Sequence, residues 1–367
     1  MLRKFGDLAQ QRRFFYLYDN AAIEVVVVSV TTVSDTSVEP SPKKAMMEGP
    51  QMAGDVALVA DIGRQSVRFG LTGGDAGLVP RDVRKFLTAE HPTFTSALVA
   101  YLAGVGLQEA RLPSVLAVAG AVRGDLINLT GSRWYISLSG VEAVLRVRPQ
   151  ALNECAANAL ALTMLPVSGF TPLQGPPPRL VEAGGNYVVI GTGTGLGVAA
   201  LVTAGGKLSA LQTEAGHMSF AANTADERTF AQYCASKGMT IDIETLLGAP
   251  GLLLAYEALS GGKKLDKPEE VTRNVGRDPV STAVVRMFVE HLGAFAGDLA
   301  LAYGAWDGVF LTGAIARALH PQLMDPGFRR RMESKAAFRR QLSEVPIALV
   351  NRTDLELLGA AAALGNA

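Results

Sequence analysis

The sequence predicts an α/β fold in two domains, and three observations carry that reading. Short apolar runs of β-strand character alternate along the chain with segments whose apolar residues recur every three or four positions, the periods of strand and helix. At 367 residues the chain is long enough for two domains of ~150 residues each. Hydrophobic residues make up 49% and charged residues 19%, which supplies large cores.

Residues 1–54 are read as an extension outside the fold and poorly ordered. They run from a basic start through a valine-rich stretch to Pro-Ser-Pro-Lys-Lys, and Glu24 interrupts the apolar run that a secretory leader would need uncharged. Met46, Met47 and Met52 are alternative starts. The valine run keeps the option of pairing on a sheet edge.

The fold begins with an apolar strand at 56–60 that reaches Asp61, turns at Gly63 and returns as a second strand at 67–71. The spacing of Leu98, Leu102 and Val105 predicts a helix over 94–105, and 114–118 reads as a strand running to Gly120. A short strand at 147–152 leads into Asn153-Glu154, which opens a helix of strong formers closed by Pro166. The stretch 168–185, with three consecutive prolines, is a stiff surface loop.

A buried strand at 187–190 then breaks into Gly-Thr-Gly-Thr-Gly-Leu-Gly at 191–197. Alternate glycines let backbone N–H groups approach a ligand closely, as a phosphate-cradling turn requires. Apolar 198–202 and the turn Gly205-Gly206 follow, so the glycine turn joins strand to strand. A dinucleotide fingerprint would open a helix here, and a P-loop needs Gly-Lys-Ser/Thr; neither pattern is met. On the turn alone, phosphate contact and a ligand-free hairpin both remain open.

Thr213-Glu-Ala-Gly-His217 adds a carboxylate and an imidazole on one bend. Sugar hydroxyls both donate and accept, and Glu214 with His217 can satisfy both roles. Further on come a helix within 221–238, the segment 240–246 ahead of Gly248-Ala-Pro-Gly251, and a helix at 281–303 ended by Gly304. A strand into a turn follows at 307–315, then a basic helical segment, a closing strand and a last Ala/Gly helix. Read locally, Glu154 is an acid at a helix N-terminus, Glu244 is a surface acid before a helix, and Arg329 to Arg331 with Lys335, Arg339 and Arg340 form a solvated helix face.

Taken in order over about 55–367, these motifs resemble bacterial glucokinases of the hexokinase and actin-like ATPase superfamily. The resemblance implies a two-domain actin-like ATPase (ribonuclease H-like) fold: a small α/β domain of 55–165 plus 350–367, a large one of 166–349, and a cleft between them. It implies ATP-dependent phosphorylation of the 6-hydroxyl of glucose or a related hexose, with Mg2+. Glu154 matches the catalytic base, while Asn153, Glu214, His217 and Glu244 match the sugar contacts. Asp61 matches the magnesium-side acid, and Gly63, Gly191, Thr192, Gly193, Thr194, Gly195 and Gly313 match the nucleotide contacts.

Five positions depart from that pattern, one of them Gly131, where the family commonly has Asn. Arg64 and Gln65 stand for Gly-Thr in the first phosphate loop, Glu154 for Asp, and Ala314 for the second glycine of the adenosine motif. A residue with a Cβ at position 64 costs about 1 kcal/mol if its φ is positive. Glu and Asp differ little in ordinary pKa, ~4.3 against ~3.9, so either is expected to be ionised. The added methylene matters more, since phosphoryl transfer depends on alignment. A second reading follows: a sugar-binding or regulatory relative with impaired catalysis.

Lys plus Arg and Asp plus Glu are both 34, so no net charge favours nucleic acid. No apolar run reaches the ~18 residues of a membrane span. Two cysteines supply neither a disulfide framework nor the zinc motif of related repressors, and they fit a reducing cytoplasm. Related glucokinases are commonly dimers, so a homodimer is the assembly the resemblance implies.

Overall fold

The computed structural model describes residues 56–129 and 132–365. The predicted extension, its valine run and Thr130-Gly131 lie outside the described residues. In chain order the first strands are β1 (Val56–Ile62), β2 (Ser66–Gly73), β3 (Arg81–Leu87), β4 (Ser114–Val118), the ribbon β5 (Leu126–Asn128) and β6 (Tyr135–Ser137), and β7 (Gln150–Asn153). The later ones are β8 (Phe170–Pro172), β9 (Tyr187–Thr192), β10 (Leu196–Ala204), β11 (Lys207–Thr213), β12 (Gly308–Thr312) and β13 (Ile347–Val350).

One architecture occurs twice. The first sheet has the order β3-β2-β1-β4-β7 and the second β11-β10-β9-β12-β13 with β8 added at its edge. In both, the first three strands in sequence form an antiparallel meander and the next two join parallel to the leading strand. The 196–213 segment is therefore the hairpin its turn signals predicted.

Strand periodicity decides which side chains meet. Along β1, Leu58, Ala60 and Ile62 enter one core while Val59 enters another on the opposite face. Along β9, Val188 and Ile190 face the long helix Pro279–Tyr303, whereas Tyr187 and Val189 face inward. The inward faces of both sheets enclose a single shared core built on two helices, Glu154–Ala161 and Leu355–Gly365. Those helices approach closely because their facing residues are small. Ala157, Ala360 and Ala361 are fully buried, and a β-carbon at Gly359 would collide with the Ala157 carbonyl.

Most predicted elements occur with shifted ends. The 94–105 helix is Phe94–Val105, capped by Thr93 and Ser96 reciprocally. The helix after Asn153 stops at Ala161 and runs on as a 3-10 turn over Leu162–Met164. After β12 the chain does not stay a turn but enters a short helix, Ala314–Ala318. β3 carries no strand signature in its charged sequence, as suits an edge strand protected from further pairing. No helix among the described residues is long and apolar enough to cross a membrane.

The basic tract is a solvated face only in part: Arg330, Arg339 and Arg340 are exposed, while Arg329 and Arg331 turn inward. Arg329 is buried, and its guanidinium bonds Glu333 and the carbonyls of Ser343 and Val345. Arg331 donates to Glu227 at 3.2 Å. Glu227 is fully buried and also accepts from His291 Nδ1 at 2.9 Å and from the backbone N–H groups of Asn223 and Thr224. Burial alone would raise its pKa, but these hydrogen bonds outweigh it and hold the carboxyl at about 2.

Two outcomes follow. Gly359→Ala should destabilise the protein by about 1–3 kcal/mol through overpacking, read as a lowered Tm. Glu227→Ala should cost about 3–5 kcal/mol by leaving buried partners unpaired. Since the folded pKa of Glu227 is depressed, its contribution is present above the ordinary 4.5 and is lost as pH falls toward 2. An acid-unfolding curve of the parent and of Glu227→Ala should therefore converge at low pH.

Candidate active site

Asp61, Asn153, the glycine turn and Gly313 lie at the carboxyl ends of the parallel strands in both sheets, where ligands of open α/β sheets bind. Asp61 is the penultimate residue of β1, Asn153 ends β7, the glycine turn follows β9 and Gly313 follows β12.

Asp61 faces Arg68 across the β1–β2 pair, and Arg68 Nε donates to its Oδ2 at 2.7 Å. The same guanidinium donates to Glu356 Oε2 at 3.1 Å and to the Thr353 carbonyl. Glu356 Oε1 in turn accepts from Asn158 Nδ2 at 3.2 Å, one helical turn beyond Glu154. Burial, reinforced by Glu356, pushes the Asp61 carboxyl up to about 6 despite Arg68. Burial pushes Glu154 further, to about 7, helped by the charges of Glu356, Asp61 and Glu214 and opposed by Arg64. Glu154 is thus not the ordinary ionised carboxylate expected from its sequence position.

The first loop departs from the family pattern without backbone strain. Gly63, Arg64 and Gln65 all keep negative φ. The loop is pinned by Gly63 N to Ser66 O at 3.0 Å and by Thr88 N to Gln65 O at 2.9 Å. Arg64 is exposed. The conditional cost of a Cβ at position 64 therefore does not arise.

The glycine turn is narrower than its sequence. Gly191 and Thr192 belong to β9, and Thr192 is buried with its hydroxyl accepting from Ala316 N at 3.0 Å. Its hydroxyl is not brought to the cleft. The open turn is Gly193 to Gly195, closed by Gly193 N to Gly195 O at 2.9 Å and braced by Ala249 N to Gly193 O at 2.9 Å. Two further glycines bring the motifs together. A β-carbon at Gly197 would strike Cys155 Sγ, next to Glu154, and one at Gly216 would strike the Leu196 carbonyl. The acid after Asn153, the hairpin and the Glu-His bend are thereby packed against one another.

On the sugar side, Asn153 caps the Glu154 helix, its Oδ1 accepting from Cys155 N at 2.7 Å. Gln212 Oε1 accepts its backbone N–H at 3.1 Å. Glu214 is exposed and opens the Ala215–His217 turn. His217 Nδ1 lies 2.7 Å from Asp242 Oδ2. Glu244 lies inside the helix Ile243–Leu247 and is not a free surface acid: its Oε2 accepts from Leu196 N at 2.7 Å, holding the glycine turn. Thr194, Asp242, Glu244 and Thr245 line one side of a cavity of about 510 Å³. Gly313 has a φ of 98° and lies against the Thr192 backbone, while Ala314 is exposed with ordinary backbone.

Glu356, Asp242 and Gln212, which the sequence reading does not single out, bond the candidate residues or their immediate partners. Glu356 carried a signal, being the one charged residue within Leu355–Gly365. The carboxylates around Asp61 outnumber their cations, which suits a hard divalent ion held by one or two acids and by substrate phosphates. No group of three His, Cys, Asp or Glu among the described residues makes a protein-only metal cage.

The glucokinase family profile matches residues 58–367. A glucokinase of Stenotrophomonas maltophilia (strain K279a) is 37% identical over 321 residues, 83% of this chain and 93% of that one. A glucokinase of Xanthomonas campestris pv. campestris (strain B100) is 36% identical over 315 residues, with the same coverage. Among solved structures, glucokinase from an Antarctic psychrotroph superposes with a TM-score of 0.75 at 30% identity, covering 85% of this chain and 99% of that one. The paired sheets are the two-domain actin-like ATPase fold, and the chain belongs to the glucokinase family.

Proposed function

We infer that this chain is a glucokinase that transfers the γ-phosphoryl group of ATP to the 6-hydroxyl of glucose. The observation that carries the reading is the placement of Glu154: a half-buried carboxylate at a helix start, raised to about 7 and packed beside the glycine hairpin. A general base works best when its pKa lies near the operating pH. Glu154 takes the 6-hydroxyl proton as that oxygen attacks, and Asn153, Glu214, His217 and Glu244 orient the ring. The turn Gly193 to Gly195 and the Gly313 segment hold the nucleotide.

Glucokinases use ATP, generally with Mg2+. Asp61 is the residue proposed to hold the ion, which supplies neutralisation of phosphate charge. The lobes are proposed as 55–165 with 350–367 and 166–349, and their closure excludes water from the phosphoryl group. A cytoplasmic homodimer is the proposed setting.

The test is glucose 6-phosphate formation and glucose binding measured together on purified protein with Mg-ATP. Turnover in the parent, lowered ~100- to 10,000-fold by Glu154→Gln with glucose binding retained, supports the assignment. Binding without turnover in the parent supports the regulatory relative instead.

The pH dependence has a fixed sign. A raised acid pKa favours the protonated form, so the base is available above about 7 and kcat/KM falls as pH drops through that value. Glu356→Gln removes a charge that raises Glu154 and should move this limb down by ~1 pH unit; Arg64→Ala removes an opposing cation and should move it up. Limbs that stay fixed in both variants would take the base role away from Glu154.

A further inference from the structure

Asp242 joins the two halves of the sugar side. Its Oδ1 accepts from Thr245 N at 2.8 Å and from Thr245 Oγ1 at 2.6 Å, capping the helix that carries Glu244. Its Oδ2 lies 2.7 Å from His217 Nδ1. The flanking backbone is paired as well: Ser219 bridges Asp242 and Ile243 N donates to Met218 O at 3.0 Å. A helix cap needs one oxygen, and Ser, Thr or Asn serves as well as Asp. The second oxygen of Asp242 is therefore available for a different task.

We propose that Asp242 is the positioning residue of the hexose subsite, fixing His217 with its Nδ1–H on the carboxylate so that Nε2 alone meets a substrate hydroxyl. The assignment rests on the hexose-kinase reading above and deepens it. The His217 side chain is 55% exposed, so packing does not hold the ring, and the carboxylate is what sets its tautomer and orientation. The charged groups facing it are all acids: Asp242 by hydrogen bond, then Glu244 and Glu214. The Asp242 hydrogen bond holds the imidazole above the ordinary histidine range. As a raised base pKa, this keeps Nε2 a donor below that pKa and makes it an acceptor as pH rises through it.

Asp242→Ser and Asp242→Asn both retain a helix cap, which separates the pairing from folding. Glucose KM and kcat are measured across neutral pH for the parent and both variants. In parallel, 15N imidazole NMR follows the His217 titration, assigned among only four histidines. The expected result is a glucose KM raised about tenfold with kcat within about twofold, and a His217 titration moved to lower pH. A purely structural cap predicts that both variants match the parent in KM and in titration, and that result overturns the proposal. Equal losses in kcat and kcat/KM with an unmoved titration overturn it too. If the parent binds no glucose, the hexose reading fails on that measurement, and the His217 titration still decides the pairing.

Discussion

The site is held together by the contact between two short helices. Glu154–Ala161 and Leu355–Gly365 lie between the sheets, and the missing side chain of Gly359 lets one backbone seat on the Ala157 carbonyl. With the helices this close, acids in their first turns come together whatever their charge. Glu154 opens one and Glu356 the other, and Asn158 bonds across the gap to Glu356. Close packing of small residues thus imposes an electrostatic arrangement that neither helix would favour alone.

That arrangement leaves three carboxyls in one place differently paired. Asp61 and Glu356 share Arg68, so each has a cation in direct contact. Glu154 has none, and burial with surrounding negative charge raises it to about 7. One acid is left without a cation while its neighbours stay paired, a difference of environment between chemically similar residues. Arg64, a departure from the family pattern, bears on the same balance and not on backbone strain.

Local signals reported much of this arrangement. Glycine pairs and apolar periodicity specified the hairpins, the long helix and the strand leading to Glu154. The acid after Asn153, the glycine hairpin and the Glu-His bend, each named from sequence, come into contact at Gly197 and Gly216. Long-range commitments were invisible. Thr192 reads as a loop hydroxyl until the Ala316 N–H that occupies it is known. Arg329 reads as a surface cation until its carbonyl partners from the 343–345 segment are in view. β3 and β8 are defined by partners more than by composition: one is a charged edge, the other three residues long.

The route of the chain carries a further consequence. The first sheet is complete at Asn153, yet the helix that covers its inward face is Leu355–Gly365, far later in the chain. A nascent chain still lacking that helix leaves Val59, Val115 and Ala117 without their cover and Arg68 without its second acid. The amino-terminal half therefore stays an unfinished unit, its apolar face uncovered, until that helix is made.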